Sequence, residues 1–356
     1  MEDIGQRAVR TSQLLLFLLL LPLCLTMESP DGAELCFPQL LNTSCRKPQQ
    51  DRAEAAFLYV LLSGISLLTV TLNLLVIISI SHFRQLHTST NLLLLSLAVS
   101  DFLVGFLLMP VQVHLVGGCW FLGRLICSLY NYASFIVTSA SVGNIVLISV
   151  DRYVAICEPL CYHTKVTQKR VKVSVCLCWT SSLLYNGVIL KDSLKNQDTY
   201  NSCYGECVVV INFATGAVDV VLTFIGPIAV IVVLYMKVFV VAVSQARAMK
   251  SHIAAVTRQG SVRVTARKSE RKAARTLGIV VVVFLICFCP SFYPFLMGQD
   301  MSTSGAFSIF GVWLLYCNSC INPVIYAFFY PWFRKSIKLI VTLQILQHNS
   351  CDAHIL

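Results

Sequence analysis

Long apolar runs separated by short polar stretches dominate the pattern of this chain. A run of roughly 20 apolar residues crosses the hydrocarbon core of a bilayer as an α-helix. By that criterion the sequence predicts seven spans: Ala56–Ser81, Asn91–Val113, Arg124–Cys157, Arg170–Leu190, Asn212–Ser244, Thr276–Met297 and Ala306–Phe329. A content of 56% hydrophobic and 12% charged residues excludes an ordinary soluble domain. The predicted fold class is therefore an all-α membrane protein, a seven-transmembrane helix bundle.

The segments outside the spans complete the predicted organisation. After the last span, apolar residues at helical spacing oppose basic ones, which predicts a short amphipathic helix at the inner membrane surface. The predicted divisions are a leader at 1–26, an extracellular N-terminal tail at 27–55, the seven-transmembrane domain at 56–330, the surface helix at 331–346 and a short cytoplasmic tail at 347–356. The leader carries the apolar run Leu14–Leu25, which has two interpretations: a signal peptide, or a spurious stretch upstream of a start at Met27.

The distribution of charge orients the predicted bundle. The net charge is +10, and its densest basic run, from Arg247 to Arg275, lies between the fifth and sixth spans. Because Lys and Arg concentrate in cytoplasmic loops, this asymmetry predicts an extracellular N-terminus. The excess of basic residues therefore indicates the topology of the chain and favours contact with the anionic inner leaflet. We do not interpret it as evidence of nucleic-acid binding. The sequon at Asn42 falls in the predicted extracellular tail, where glycosylation is expected.

An acid inside the fifth span is the strongest functional signal. Asp219 interrupts an apolar run, and Pro227 follows it in the same span. Inserting a carboxylate at such a depth costs about 3 kcal/mol, so an intramembrane acid is by default a functional-site hypothesis. A buried carboxylate near the outer face is suited to binding a cation, most simply a protonated amine.

Two further polar groups indicate mechanism. At the predicted inner boundary, Asp151-Arg152-Tyr153 ends the third span and Glu270 precedes the sixth, so that Arg152 and Glu270 can form a breakable ionic latch. Deeper in the bundle, five polar residues on three spans lie at similar predicted depth, and a bound sodium ion or ordered water satisfies such a cluster most simply. The members are Asp101, Ser141, Asn318, Ser319 and Asn322.

Several of these residues occur together in a known family. Their order and spacing resemble those of a rhodopsin-like G-protein-coupled receptor, and the resemblance covers the chain from about Glu34 onward. The residues that carry it are Asn73, the run Leu97–Asp101, Cys127, Asp151-Arg152-Tyr153, Trp179, Pro227, Pro290 and Asn322-Pro323. The stretch from Asn318 to Phe333, together with Cys203-Tyr204-Gly205-Glu206-Cys207, is similar to trace amine-associated receptors in particular.

The resemblance implies further residue roles and partners. It implies a disulfide between Cys127 and Cys207 and a second between Cys45 and Cys203, with Cys36 as the rival partner of Cys203. It also implies a small amine ligand and a stimulatory, olfactory-type G protein that raises cyclic AMP, at the plasma membrane and in the cilia of olfactory neurons. The switch residues it implies are Asp151, Arg152, Tyr153, Tyr235, Glu270 and Tyr326.

Two positions depart from the family's usual pattern. Most amine receptors of this broad class carry an aspartate eighteen residues before the arginine of the third span, whereas here that position is Ser134. A hydroxyl cannot neutralise an ammonium, so the resemblance implies a subgroup, expanded in fishes, that binds amines from the fifth span through Asp219. In the sixth span Phe288 replaces the usual tryptophan, a departure that bears on the basal activity.

Helical spacing outlines the predicted pocket. Asn131, Ser134 and Thr138 form one polar face of the third span, and Asp219 and Thr223 share a face of the fifth. Aromatic walls are expected from Phe288, Phe292, Phe295, Trp313 and Tyr316. With one carboxylate in the pocket, the expected ligand is a monoamine. A diamine would need a second acid, for which Glu206 and Asp300 are the candidates.

The sequence agrees less well with other functions. Within the receptor class, the alternatives are a neurotransmitter-type monoamine receptor, which Ser134 disfavours, and an orphan or constitutively active receptor, which Phe288 keeps open. A cation transporter using Asp219 and Asp101 is disfavoured because the chain lacks inverted repeats. An enzyme is not expected, since no nucleophile–base pair or metal-binding spacing falls within a shared pocket, and no resident cofactor is expected beyond a sodium ion near Asp101.

Overall fold

The computed structural model describes residues 35–40, 42–46, 52–116, 118–192, 203–253, 279, 282–292, 301–302, 306–347, 350–353 and 355. Among these residues, five helices are long and apolar enough to cross a membrane: Ala55–His82, Ser89–Leu115, Gly123–Cys157, Phe213–Val241 and Phe310–Phe329. They coincide with the first, second, third, fifth and seventh predicted spans. The fourth span is a 22-residue helix with a basic first turn. The described part of the sixth is the shorter apolar helix Val282–Phe292.

Helices make up nearly all of the described chain. The first three spans are α1 (Arg52–His82), then α2 (Ser89–Leu103) with α3 (Met109–Val116), then α4 (Gly123–Cys157). The short α5 (Tyr162–Lys165) precedes the fourth span, α6 (Gln168–Ile189), and the fifth span consists of α7 (Phe213–Asp219) and α8 (Gly226–Ile253). The described part of the sixth span is α9 (Val282–Phe292), the seventh span is α10 (Ala306–Phe329), and α11 (Pro331–Val341) follows it. Short 3-10 turns cover Arg84–Leu86, Pro159–Cys161, Gln344–Leu346 and Ser350–Asp352.

Polar caps fix where several helices begin. Thr88 accepts a hydrogen bond from the backbone N–H of Asn91 at the start of α2, and Thr167 caps α6 in the same way. Asn212 accepts from the N–H of Thr215 at 2.9 Å and starts α7. Each side chain satisfies a backbone donor that has no partner inside the helix.

Two spans contain a π-helical segment that hydropathy does not reveal. Val104–Leu108 joins α2 to α3, and Val220–Ile225 joins α7 to α8. In the first segment, the carbonyl of Gly105 accepts a hydrogen bond from the Ser66 hydroxyl at 2.8 Å. A Cβ on Gly105 would lie 2.9 Å from a Thr69 methyl carbon, so the glycine permits the close approach of the first two spans.

The third span packs against the second, fourth and fifth spans. Without a hydrophobic driving force between helices in lipid, packing and interhelical hydrogen bonds hold such a bundle together. The Asn73 amide donates to the carbonyl of Ser319 at 2.9 Å, and the Trp179 indole donates to the Ser96 hydroxyl at 3.1 Å. The bundle surface exposes large apolar side chains such as Phe239, as a lipid-facing surface should.

The two ends of the bundle differ in their connections. At one end, β1 (Val210–Ile211) pairs antiparallel with β2 (Met301–Ser302), and three disulfides link the N-terminal tail, the loops and the third span. We call this the disulfide end and the opposite one, where α4 finishes, the Arg152 end. At the Arg152 end, α11 buries Trp332 and Phe333, and Arg334 donates to two carbonyls of the last turn of α10.

The surface helix is shorter than predicted. It ends at Val341, and Leu343 then adopts a left-handed conformation with a φ of 56° before a 3-10 turn. The leader at 1–26 lies outside the described residues, as does most of the basic segment between the fifth and sixth spans.

Candidate functional site

Asp219 lies where the fifth span changes its helical form. The residue ends α7, whose seven residues place it about 10 Å along the helix from the disulfide end. The π-helical segment Val220–Ile225 begins directly after it and finishes just before Pro227. Such segments are frequent at functional sites. The side chain is buried, with 3% of its surface exposed.

A tyrosine of the fourth span is the hydrogen-bond partner of this carboxylate. The Tyr185 hydroxyl donates to Oδ1 of Asp219 at 2.9 Å. Thr223, expected on the same face, donates its hydroxyl to the backbone carbonyl of Asp219 at 2.7 Å. Sequence reasoning missed Tyr185. The only signal was a tyrosine in an apolar span, since a buried tyrosine hydroxyl usually finds a polar partner.

Ser134, which stands at the third-span position of the usual acid, contacts the seventh span. The Ser134 hydroxyl lies 2.8 Å from the Tyr316 hydroxyl, which lies 3.3 Å from that of Tyr130. Tyr130 in turn donates to the side-chain oxygen of Gln112 at 2.6 Å. Tyr316 therefore belongs to a neutral hydroxyl network that connects the second, third and seventh spans, in addition to any role as an aromatic wall.

The other residues of the predicted third-span face have different surroundings. Asn131 is buried and donates to the carbonyl of Cys127, with its amide 3.5 Å from the sulfur of Cys207, so it supports the disulfide. Thr138 is half-buried, and its neighbour Ser139 accepts a hydrogen bond from Asn186 of the fourth span. Of the predicted face, Asn131 therefore supports the disulfide and Ser134 belongs to the hydroxyl network, whereas the contact with the fourth span is made by Ser139, next to Thr138.

Aromatic side chains of the sixth span pack against one another and against the fifth span. The rings of Phe292 and Phe224 stack with centroids 4.3 Å apart, and Phe288 packs on Phe284 at 4.1 Å. Phe224 belongs to the π-helical segment that follows Asp219, so this stack joins the sixth span to the acid-bearing segment. Trp313 and Tyr316 are buried in the seventh span, while Phe295 lies outside the described residues.

Three disulfides build a cap over the disulfide end. Cys127 pairs with Cys207 and Cys45 with Cys203, the two pairs that the resemblance implies. The alternative of Cys36 as the partner of Cys203 is wrong, because Cys36 is bonded to Cys119 of the loop before the third span.

Backbone and ring contacts complete the cap. The N–H of Cys45 donates to the carbonyl of Tyr204, and the Phe37 ring makes edge contacts with Tyr204 and Phe121. Gly205 has a φ of +105°, and a Cβ there would lie 3.0 Å from the Phe37 ring. Asn42 lies in the tail near this cap with its side chain exposed.

A buried polar cluster lies deeper in the bundle. The Asn322 amide donates to Asp101 at 2.8 Å, and both residues are fully buried. The Ser141 and Ser319 hydroxyls also face this carboxylate. Among the described residues, the side-chain oxygens of Asn318 and Asn322 have no hydrogen-bond donor. Oxygen ligands of this kind suit a hard cation such as sodium.

At the Arg152 end, the arginine is held by its own helix and by the second span. Arg152 forms an ion pair with Asp151 and donates to the Thr90 hydroxyl. Tyr162 donates to the other Asp151 oxygen at 2.9 Å, and burial raises the pKa of Tyr162, so it remains a hydroxyl donor at neutral pH. Glu270 lies outside the described residues, so its latch with Arg152 stays a prediction.

The remaining predicted switch residues lie near this end. Tyr326 is buried in the seventh span. The Tyr235 hydroxyl of the fifth span is buried and has no hydrogen-bond partner among the described residues. The ring of Tyr153 carries the ammonium of Lys237 over its face, 5.8 Å from the centroid.

Comparisons with known proteins agree with this architecture. Residues 72–326 match the model of the 7 transmembrane receptor (rhodopsin family). Trace amine-associated receptor 13c of Danio rerio is 38% identical over 344 residues, which cover 93% of this chain and 98% of the relative. Trace amine-associated receptor 1 of Mus musculus is 38% identical over 323 residues, with coverage of 87% and 96%. Trace amine-associated receptor 6 of Homo sapiens is 36% identical over 334 residues, with coverage of 91% and 96%. The chain therefore belongs to the rhodopsin family of seven-transmembrane receptors and, within it, to the trace amine-associated receptors.

Proposed function

We propose that this receptor senses amines and that the Asp219 carboxylate is the counter-ion of the bound ammonium. The observation that carries the proposal is a buried acid on the fifth span, close to the disulfide end and hydrogen-bonded by Tyr185. A buried carboxylate is costly unless a cation or donors compensate it, and an ammonium supplies both charge and N–H donors. The names of the similar receptors, which refer to trace amines, support the same ligand class.

The surroundings of Asp219 favour a monoamine. The hydroxyl network at Ser134 and Tyr316 is neutral, so it offers hydrogen bonds but no second counter-charge. The aromatic stack of Phe224 and Phe292 lies on the segment next to the acid. A desolvated cation within about 6 Å of such a ring gains on the order of 1–2 kcal/mol.

Family membership identifies the general classes of ligand and protein partner. A rhodopsin-family receptor is a multi-pass protein of the plasma membrane, binds a small molecule and acts on a G protein, and it is not an enzyme. This membership also removes the transporter alternative. Beyond it, we infer that the disulfide end is extracellular, that the G protein is of the stimulatory, olfactory type, and that the receptor functions in olfactory cilia.

The proposed signal travels from Asp219 to Arg152. An amine shifts the equilibrium between two receptor states only by binding one of them more tightly. In the proposed active state, the end of the sixth span near Arg152 moves outward, which separates Arg152 from Glu270 and opens the site for the G protein. The contacts of Arg152 with Asp151 and Thr90 would hold the resting state.

We also propose that a sodium ion binds beside Asp101. The carboxylate, the Ser141 and Ser319 hydroxyls and the donor-free oxygens of Asn318 and Asn322 would supply its ligands. The ion would hold the second, third and seventh spans together. The thermal stability of the purified receptor in sodium, compared with that in choline at the same ionic strength, tests this proposal.

The decisive assay for the receptor function measures cyclic AMP in cells that express the chain, against a panel of monoamines and diamines. We expect monoamines to raise cyclic AMP and Asp219→Asn to weaken their potency at least about hundredfold, since removing one partner of a buried pair is strongly destabilising. Asp192→Asn is the matched control, because Asp192 is an exposed acid near the end of the fourth span. Potency that survives Asp219→Asn at equal surface expression would refute the counter-ion assignment and direct attention to Glu206 and Asp300.

A further inference from the structure

We propose that Tyr185 of the fourth span is a positioning residue of the amine site, which holds the Asp219 carboxylate in the orientation that the ammonium meets. The inference rests on the proposed function and extends it to a span that sequence reasoning left out of the pocket. Its basis is the hydrogen bond of 2.9 Å from the Tyr185 hydroxyl to Oδ1 of Asp219.

The bond leaves room for a ligand. An ionised carboxylate accepts through two oxygens and about four lone-pair sites, and Tyr185 uses one of these. The remaining sites can accept the N–H groups of an ammonium. While the pocket is empty, the same bond stabilises a buried charge that would otherwise be costly.

The fourth span is itself anchored on both sides of Tyr185. The next residue, Asn186, donates to the Ser139 hydroxyl of the third span at 3.0 Å. On the same face, the Tyr132 hydroxyl of the third span donates to the carbonyl of Leu183 at 2.8 Å. Tyr185 therefore extends from a segment fixed to the central helix of the bundle, and the cost of orienting Asp219 is met before the ligand arrives.

Tyr185 could either position the Asp219 carboxylate or compete with the ammonium for it, and these two roles predict opposite effects when the Tyr185 hydroxyl is removed. If Tyr185 orients the carboxylate, its loss weakens amine binding. If Tyr185 merely occupies the place of the ammonium, its loss strengthens amine binding. Because one hydroxyl cannot fill the acceptor capacity of a carboxylate, we infer a positioning role.

The test measures amine affinity on membranes from cells expressing Tyr185→Phe, for a primary amine and its N-methylated and N,N-dimethylated forms. Loss of a hydrogen bond to a charged group predicts about a tenfold or larger weakening. A residue that acts through Asp219 should weaken all three amines by the same factor. Tyr59→Phe is the matched control, since it removes the hydroxyl of an exposed tyrosine of the first span that has no part in the amine site, and we expect less than about a twofold change.

Further variants keep the outcomes distinct. Tyr185→Gln retains a side-chain donor and should recover part of the affinity lost in Tyr185→Phe. Unchanged or increased affinity in Tyr185→Phe would overturn the proposal, and so would a loss that differs among the three amines, because that indicates direct ligand contact. If Asp219→Asn weakens binding while Tyr185→Phe does not, only the positioning role fails. If Asp219→Asn has no effect, the proposed counter-ion fails as well.

Discussion

Removing the disulfide between Cys36 and Cys119 should destabilise the cap while the helix bundle remains folded. The two cysteines are 83 residues apart in sequence, a separation that would by itself give the bond about 4.6 kcal/mol in the chain-entropy model. The bonds Cys45–Cys203 and Cys127–Cys207 already connect the same segments. Through those bonds Cys36 and Cys119 are already connected by a path of only roughly 20 residues. The expected contribution of their own disulfide to the free energy of unfolding therefore falls to about 3 kcal/mol.

Thermal unfolding of the purified receptor measures this contribution. Cys36→Ala and Cys119→Ala each remove the same bond, so we expect each variant and the double variant to lower the unfolding midpoint by a similar amount, about 5 °C. Cys176→Ala is the control, because Cys176 is a free, exposed cysteine of the fourth span.

Thiol labelling checks the bond directly. In the wild type, Cys36 and Cys119 should resist alkylation until a reductant is added, and each single variant should expose one new reactive thiol. Labelling of both cysteines in the untreated wild type would show that this disulfide does not form. A double variant whose midpoint equals that of the wild type would show that the disulfide does not stabilise the receptor.

Two other substitutions test the polar groups inside the bundle. Ser134→Asp places a second carboxylate beside the Tyr316 hydroxyl, which lies 2.8 Å from the serine oxygen and can donate to the new carboxylate. We expect a gain of at least about tenfold in diamine potency in the cyclic AMP assay. An unchanged diamine response would contradict the pocket arrangement. Asp101→Asn should abolish the stabilisation by sodium, which would add about 1.4 kcal/mol to the free energy of unfolding at a sodium concentration ten times its dissociation constant. A sodium effect that survives this substitution would place the ion elsewhere.

Hydropathy accounts for the spans that the sequence predicted well. The seventh span was predicted as Ala306–Phe329, and the structure has a helix with those bounds. The starts of the fourth and fifth spans fell within two residues of the prediction, and in the structure Thr167 and Asn212 cap these helices. The family assignment was correct because it rests on the type and spacing of residues, which are read directly from the sequence.

The missed features depend on which faces of different helices meet. A span's hydropathy sets its length but leaves its rotation open, so neither Tyr185 opposite Asp219 nor Tyr316 opposite Ser134 could be predicted. The π-helical segments were missed for a related reason, because apolar residues fit either helical form. The bond from Cys36 to Cys119 was missed because six cysteines near one end of a bundle allow many pairings.

Equilibrium binding of a labelled monoamine agonist to the purified receptor measures most directly whether the Asp219 carboxylate binds the ammonium group. We expect at least about a hundredfold weaker binding to Asp219→Asn than to the wild type, and unchanged binding to Asp192→Asn. Wild-type affinity in Asp219→Asn, with unfolding midpoints that agree among the three proteins, would show that Asp219 is not the counter-ion.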